Sequence, residues 1–241
     1  MRILITNDDG MHATQLVPLI KWCQRLGDIT TVVPKVEQSG KSHGIELRKA
    51  FEAKQVELEP GVTVWAVDST PADCVRFAVM GLHMEFDLVI SGINRGLNVG
   101  TDIMYSGTVG AIFEAANLGI QGVALSTTIG FYEQAVTQLD RVLAYFKTNK
   151  LLEKGNSYNV NIPADAQSIR ITQQGGPYYS DDFPHIGDDM YMPKGICVYE
   201  NRNDLTLDTD SVMSGHISVM PLSTNRVDTG LYEQLKQLNN E

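Results

Sequence analysis

The chain has 241 residues, with 19 Lys and Arg against 29 Asp and Glu for a net charge of -10. A content of 43% hydrophobic and 20% charged residues excludes disorder, collagen and coiled coil as whole-chain descriptions. The acidic balance also argues against long nucleic acid held in a basic groove, and leaves a small anionic substrate open because a local site can oppose the sign of the whole.

In chain order, Arg2 to Thr6 is an apolar run expected as a buried strand. Leu16, Val17, Leu19, Ile20, Trp22 and Cys23 recur at helical spacing up to Gly27, which supplies a stop. Ile29 to Val33 is a second β-branched run ending at Pro34, and Gln55 to Val67 alternates around Glu59-Pro60-Gly61 as a hairpin. Pro71 opens a helix expected through Gly81, with Thr70 or Ser69 as N-cap. A strand at Phe86 to Ser91, a helix at Thr108 to Leu118, a strand at Val123 to Ser126 and a helix at Tyr132 to Tyr145 follow. This alternation predicts an α/β fold: a mostly parallel sheet with helices on both faces.

After Lys150 the pattern changes. Strands are expected at Tyr158 to Ile162, Ser168 to Thr172 and His216 to Pro221, with a short closing helix from Leu231. Gln173 to Asp189 is rich in Gly, Pro, Asp and Tyr, a hairpin-like stretch covers Tyr191 to Tyr199, and Asp204 to Asp210 follows it. Residues 1–150 are therefore read as the core that carries the site. Residues 151–241 are read as a β-rich extension that completes the sheet and joins subunits, within one structural domain.

Cys23, Cys74 and Cys197 lie far apart and are odd in number, which fits neither a disulfide framework nor a CxxC zinc site. The amino-terminal apolar run is too short for a signal peptide and is stopped by Asp8 and Asp9. No stretch approaches the roughly 20 apolar residues of a membrane helix. The expectation is a soluble, cytoplasmic protein with no membrane partner.

Four polar segments fall where strands end. Asn7-Asp8-Asp9-Gly10 follows the first strand, and a turn there can bring both carboxylates onto one cation, although an ordinary Asx-type turn explains the same residues. Gln38 to Gly44 includes Gly40-Lys41-Ser42, but Lys35 stands where the leading glycine of a P-loop belongs, and no helix pattern follows. What remains is a loop whose Ser39 hydroxyl and Gly40 backbone can face a phosphate or a metal. Ser91 to Gly100 carries Asn94 and Asn98, and its glycines do not match the dinucleotide fingerprint GxGxxG. Tyr105-Ser106-Gly107-Thr108 caps a helix whose first turn is an anion site.

A parallel sheet would deliver Asp8, Asp9, Ser39 and Asn94 to one crevice. That all-oxygen set suits one Mg²⁺ or Mn²⁺ per subunit rather than zinc, since no HExxH is present and the histidines at 12, 43, 83, 185 and 216 are scattered. His12 and His43 are candidates for an acid or base near the site. No GxSxG motif is present. A metal-assisted phosphomonoesterase is the favoured reading. The alternatives are a polyphosphatase or general acid phosphatase on the same site, and a nucleotide-binding regulator without catalysis.

Asn7-Asp8-Asp9-Gly10, Ser39-Gly40, Thr70-Pro71-Ala72-Asp73-Cys74-Val75, Ser91 to Gly100 and Tyr105-Ser106-Gly107-Thr108-Val109 occur in the order seen in the SurE (survival protein E) family. Asn161-Ile162-Pro163 and His216 to Leu222 resemble that family's tail. The resemblance implies a Rossmann-like three-layer core, a divalent metal, hydrolysis of nucleoside 5′- and 3′-monophosphates, and homodimers or homotetramers that exchange carboxyl-terminal segments. It implies Asp8, Asp9, Ser39 and Asn94 as metal ligands, with Asp8 and Asp9 catalytic. Asn7, Gly40, Asn98, Ser106, Gly107 and Thr108 would bind substrate. Thr14-Gln15 stands where the family usually has Pro-Gly, and Lys35-Val36-Glu37-Gln38 is less basic than usual.

Overall fold

The computed structural model describes residues 1–152 and 156–240. The first strand, β1 (Arg2–Thr6), has Ile3, Leu4 and Ile5 each 0% exposed, so both of its faces are covered. Period-two alternation then divides its side chains between two cores. Ile3 and Ile5 pack with α1 (Leu16–Cys23) and α4 (Tyr132–Thr148), whereas Leu4 packs with α2 (Pro71–Arg76) and α3 (Gly107–Asn117). The result is three layers, helix–sheet–helix.

Further strands are β2 (Asp28–Pro34), β3 (Ala53–Glu59), β4 (Val62–Val67), β5 (Leu88–Arg95), β6 (Gln121–Thr127), β7 (Ser157–Ile162), β8 (Ile169–Ile171) and, near the carboxyl terminus, β13 (Ile217–Leu222). Together with β1 they form one nine-stranded sheet in the order β3-β4-β2-β1-β5-β6-β7-β13-β8. Strand β1 pairs parallel with both β2 and β5, while β3 and β13 run antiparallel to β4 and β7. The chain builds outward from β1 in one direction through β2 and in the other through β5. The order therefore reverses between β1 and β5, where an open α/β sheet leaves a crevice beyond its strand ends.

The structure differs from the sequence reading in three places. The helix expected over Pro71 to Gly81 is α-helical only through Arg76 and then widens into a π-turn over Phe77–Gly81, where a Cβ on Gly81 would lie 2.7 Å from the Phe77 ring. Strand β5 runs on to Arg95, past Ser91, with a register shift against β6 between Ser91 and Asn94. The hairpin is longer than Tyr191 to Tyr199 and begins inside the segment read as irregular. Its outer pair is β9 (Tyr179–Asp182) with β12 (Lys194–Cys197), and its inner pair is β10 (His185–Gly187) with β11 (Met190–Tyr191). Every residue of these four strands is exposed, so no buried face imprinted an alternating pattern on the sequence.

Two short helices complete the chain: α5 (Asp208–Met213), unforeseen because its residues are mostly polar, and α6 (Thr229–Leu235), close to the expected closing helix. Among the described residues, no helix is long and apolar enough to cross a membrane.

Candidate active site

Directly after β1 the chain turns on itself. The Asn7 amide donates to the Gly10 carbonyl at 3.0 Å, and the Gly10 N–H donates to Asn7 Oδ1 at 3.2 Å. Asn7 is 0% exposed, and its side chain builds the turn. Gly10 has φ +87°, and a Cβ there would sit 2.9 Å from the Val36 carbonyl carbon. Only glycine allows the loop after β2 to come this close. The Gln38 N–H then donates to the Asp8 carbonyl at 2.7 Å, which places Ser39 next in line beside the turn.

Asp8 is 4% exposed and points at the start of α3. Its carboxylate accepts from the Thr108 hydroxyl at 2.5 Å and from the Thr108 N–H at 3.2 Å. A Cβ on Gly107 would lie 3.0 Å from the Asp8 Cβ, so the glycine in Ser106-Gly107-Thr108 makes room for the acid. Ser106 caps the helix, accepting the Val109 N–H at 3.1 Å. The anion at this helix terminus is Asp8 itself. Burial pushes the Asp8 carboxyl above its ordinary range, and the two Thr108 bonds pull it back.

Asp9 accepts from the Gln15 amide at 2.5 Å and from the Arg95 N–H at 3.1 Å. The second bond joins the end of β1 to the end of β5, one residue beyond Asn94. Burial, and next the charge of Asp8, push Asp9 up to about 6. Neither carboxylate has an ion-pair partner among the described residues, and Glu37 raises both further.

The remaining expected residues fall into two groups. Ser39 is exposed and donates to Glu37 at 2.7 Å, Gly40 is exposed beside it, and Asn94 donates to the Gly96 carbonyl at 2.9 Å while its Oδ1 takes no protein donor. Asn98 is held from the far side of the crevice. Its amide donates to Ser126 at 2.8 Å, its N–H donates to Asn161 at 2.8 Å, and its carbonyl accepts from Asn159 at 2.7 Å and Asn161 at 2.8 Å. His43 donates to Glu114 at 2.7 Å and does not line the cleft at Asp9, whereas His12 does.

That cleft has a volume of about 360 Å³ and is lined by Asp9, His12, Gln15, Glu37, Arg95 and Tyr132 among others. Gln15, Glu37, Asn159 and Asn161 escaped the sequence reading. The two asparagines alternate on one face of a fully buried strand, and that pattern was the available signal. Asp208, 0% exposed, also escaped it. Its carboxylate accepts the Gly100 N–H at 2.9 Å and the Gly175 N–H at 2.7 Å, fixing the end of the Asn98 loop.

The family described as Survival protein SurE matches residues 3–181. The chain belongs to the SurE family. A protein named 5'-nucleotidase SurE from Caldanaerobacter subterraneus subsp. tengcongensis is 36% identical, covering 98% of this chain and 96% of its own. One of the same name from Petrotoga mobilis is 34% identical over 98% of each chain. The crystal structure of the SurE protein from Aquifex aeolicus superposes with a TM-score of 0.77 at 28% identity, covering 99% of this chain and all of that one. In this SurE-family chain Gln15 is 3% exposed and grips Asp9.

Proposed function

We propose that this SurE-family chain is a divalent-metal-dependent phosphomonoesterase that hydrolyses nucleoside 5′- and 3′-monophosphates to nucleoside and phosphate. One observation carries the reading: two adjacent, largely buried carboxylates sit at the switch point of the sheet with no ion pair among the described residues, Arg95 easing Asp9 only at longer range. Uncompensated buried acids are costly, and a hard cation supplies the missing charge. The donor set fits Mg²⁺ or Mn²⁺. Asp8 and Asp9 bring charge, and the Ser39 hydroxyl and the free Asn94 Oδ1 bring neutral oxygen. The names of the relatives support a nucleotide substrate.

When bound, the cation would polarise a phosphoryl oxygen and lower the pKa of a water. The chain's own groups do the rest. Thr108 keeps Asp8 aimed into the site, and Gln15 with the Arg95 N–H does the same for Asp9. Gly40, Asn98 and the Ser106–Thr108 turn receive the phosphate oxygens, with the Gly107 N–H heading the helix beyond the reach of any helical acceptor. His12, in the cleft beside Asp9, can hand a proton to the departing nucleoside oxygen.

The hairpin arm of β9 to β12 exposes Tyr179, Phe183, Ile186 and Tyr191, and α6 exposes Leu231 and Tyr232, apolar surface suited to a second copy of the chain in a homodimer or homotetramer. Three free cysteines, two of them buried, fit a cytoplasmic setting. The test is phosphate release from 5′-AMP, 3′-AMP and GMP, abolished by EDTA and restored by Mn²⁺. Faster release from polyphosphate would favour the polyphosphatase alternative. Nucleotide binding without phosphate release would favour the regulator.

A further inference from the structure

Residues 35–52 join β2 to β3 with no helix or strand among them, and they carry Ser39 and Gly40. Loops of that length inside a compact domain are uncommon unless they are functional or disordered. Ordering one costs conformational entropy, so the contacts that hold it are informative. The Gln38 N–H fixes its start to the Asp8 carbonyl. Farther on, the Ser42 N–H donates to the Tyr105 carbonyl at 3.0 Å and its hydroxyl to the Met104 carbonyl at 2.5 Å. A Cβ on Gly110 would lie 2.2 Å from the Ser42 carbonyl oxygen, so this stretch rests directly on α3.

The other anchors come from the Thr70–Val75 motif, which lines no part of the Asp9 cleft. The Thr70 hydroxyl donates to the Gly44 carbonyl at 2.7 Å while capping α2. Asp73, 3% exposed, accepts from the Glu46 N–H at 2.7 Å, the Ser69 hydroxyl at 2.6 Å and the Arg76 guanidinium at 2.9 Å. On α3, Glu114, 6% exposed, accepts from His43 at 2.7 Å, with Arg76 Nε at 4.0 Å from its other oxygen. Arg76 therefore stands between two buried acids, each with one hand on the loop.

We propose that Asp73 and Glu114 are positioning residues that hold the 38–46 loop, and through it Ser39, against the acid pair. The proposal rests on the reading of Ser39 as a metal-site residue. Stability alone is a weak reason for such a network, because buried ion pairs replaced by apolar groups often leave a protein no less stable. Geometry gives a better reason: both acids bind the segment that follows Ser39, and Gln38 is bound on its other side.

The experiment compares His43→Ala, His43→Gln and Asp73→Asn with wild type in three assays. These are Mn²⁺ binding by calorimetry, kcat and KM for AMP, and the rate of tryptic cleavage after Lys41 followed by mass spectrometry. His43→Ala and Asp73→Asn are expected to weaken Mn²⁺ binding by about 10- to 100-fold. They should lower kcat by a similar factor with KM little changed, and speed cleavage after Lys41. His43→Gln, which keeps an N–H for Glu114, should return all three towards wild type. A purely structural role would lower the melting temperature and leave the three readouts at wild-type values, overturning the proposal. If Asp73→Asn does not fold, His43→Ala decides by the same readouts, because His43 lies on the loop. Wild-type protein that binds no Mn²⁺ would remove the metal reading itself. Cleavage after Lys41 would then decide the loop claim alone, faster in His43→Ala supporting it and unchanged overturning it.

Discussion

At the crevice between β1 and β5, charged and amide side chains lie beneath the surface: Asp8 is 4% exposed, Gln15 3% and Asn161 0%. In the arm formed by β9 to β12 the inside-out arrangement appears, with Tyr179, Phe183, Ile186 and Tyr191 all more than half exposed. The first region is tied together by side-chain hydrogen bonds, although Ser91 Oγ and Asn159 Oδ1 lack a partner, and it leaves two carboxylates without an ion pair among the described residues. The second pairs its backbone as a hairpin and leaves its apolar side chains without cover. Each region is incomplete in the currency opposite to its surroundings, and each gap names its occupant. The proposed occupants are a metal ion and an anionic ester for the crevice, and a second copy of the chain for the arm.

The largest effect is expected from the acid pair. Asp8→Asn and Asp9→Asn should each lower kcat for AMP about a thousandfold or more in metal-titrated assays, whereas Lys41→Ala should change it by less than about threefold. Comparable losses in all three variants would mean that the crevice is not organised around the two carboxylates. Next comes Gly107→Ala, whose methyl would press on Asp8. A fall in kcat of about 10- to 100-fold is expected, with circular dichroism unchanged. A smaller loss, about tenfold, is expected for Gln15→Ala, which frees Asp9 from one donor.

The acid pair also makes a pH-dependent difference. Folding raises Asp9 from 3.8 to about 6, so the folded state favours its protonated form. That stabilising preference is fully present below 3.8 and is lost as pH rises through about 6. In EDTA, the melting temperature of Asp9→Asn should therefore gain on wild type across that window and stay level above it. A gap that is constant from pH 4 to 7 would show that Asp9 is not strained in the metal-free protein. The arm should respond in the opposite manner. Phe183→Glu combined with Tyr191→Lys is expected to reduce the particle mass in light scattering, with kcat altered by no more than about threefold. An unchanged mass would leave the exposed patch without its partner.

These two regions also differ in how far the sequence disclosed them. Strand β1 and its neighbours were readable because strands buried on both faces become continuous apolar runs. Asp8, Asp9 and the Ser106–Thr108 cap were readable because turn and cap residues have local signatures. Gln15, Glu37 and Asp208 were not, since a single polar side chain far along the chain declares no partner until the fold brings one. The grip of Thr108 on Asp8, a contact between residues a hundred positions apart, was equally hidden. The arm stayed hidden because strands with no buried face carry no period.

Mn²⁺ titrated into EDTA-treated protein, followed by electron paramagnetic resonance, tests the unpaired acid pair most directly. One tightly bound ion per chain in wild type, lost in both Asp8→Asn and Asp9→Asn, is the expected result. Equal Mn²⁺ uptake by wild type and by the Asp8→Asn and Asp9→Asn variants would place the cation elsewhere and contradict the account.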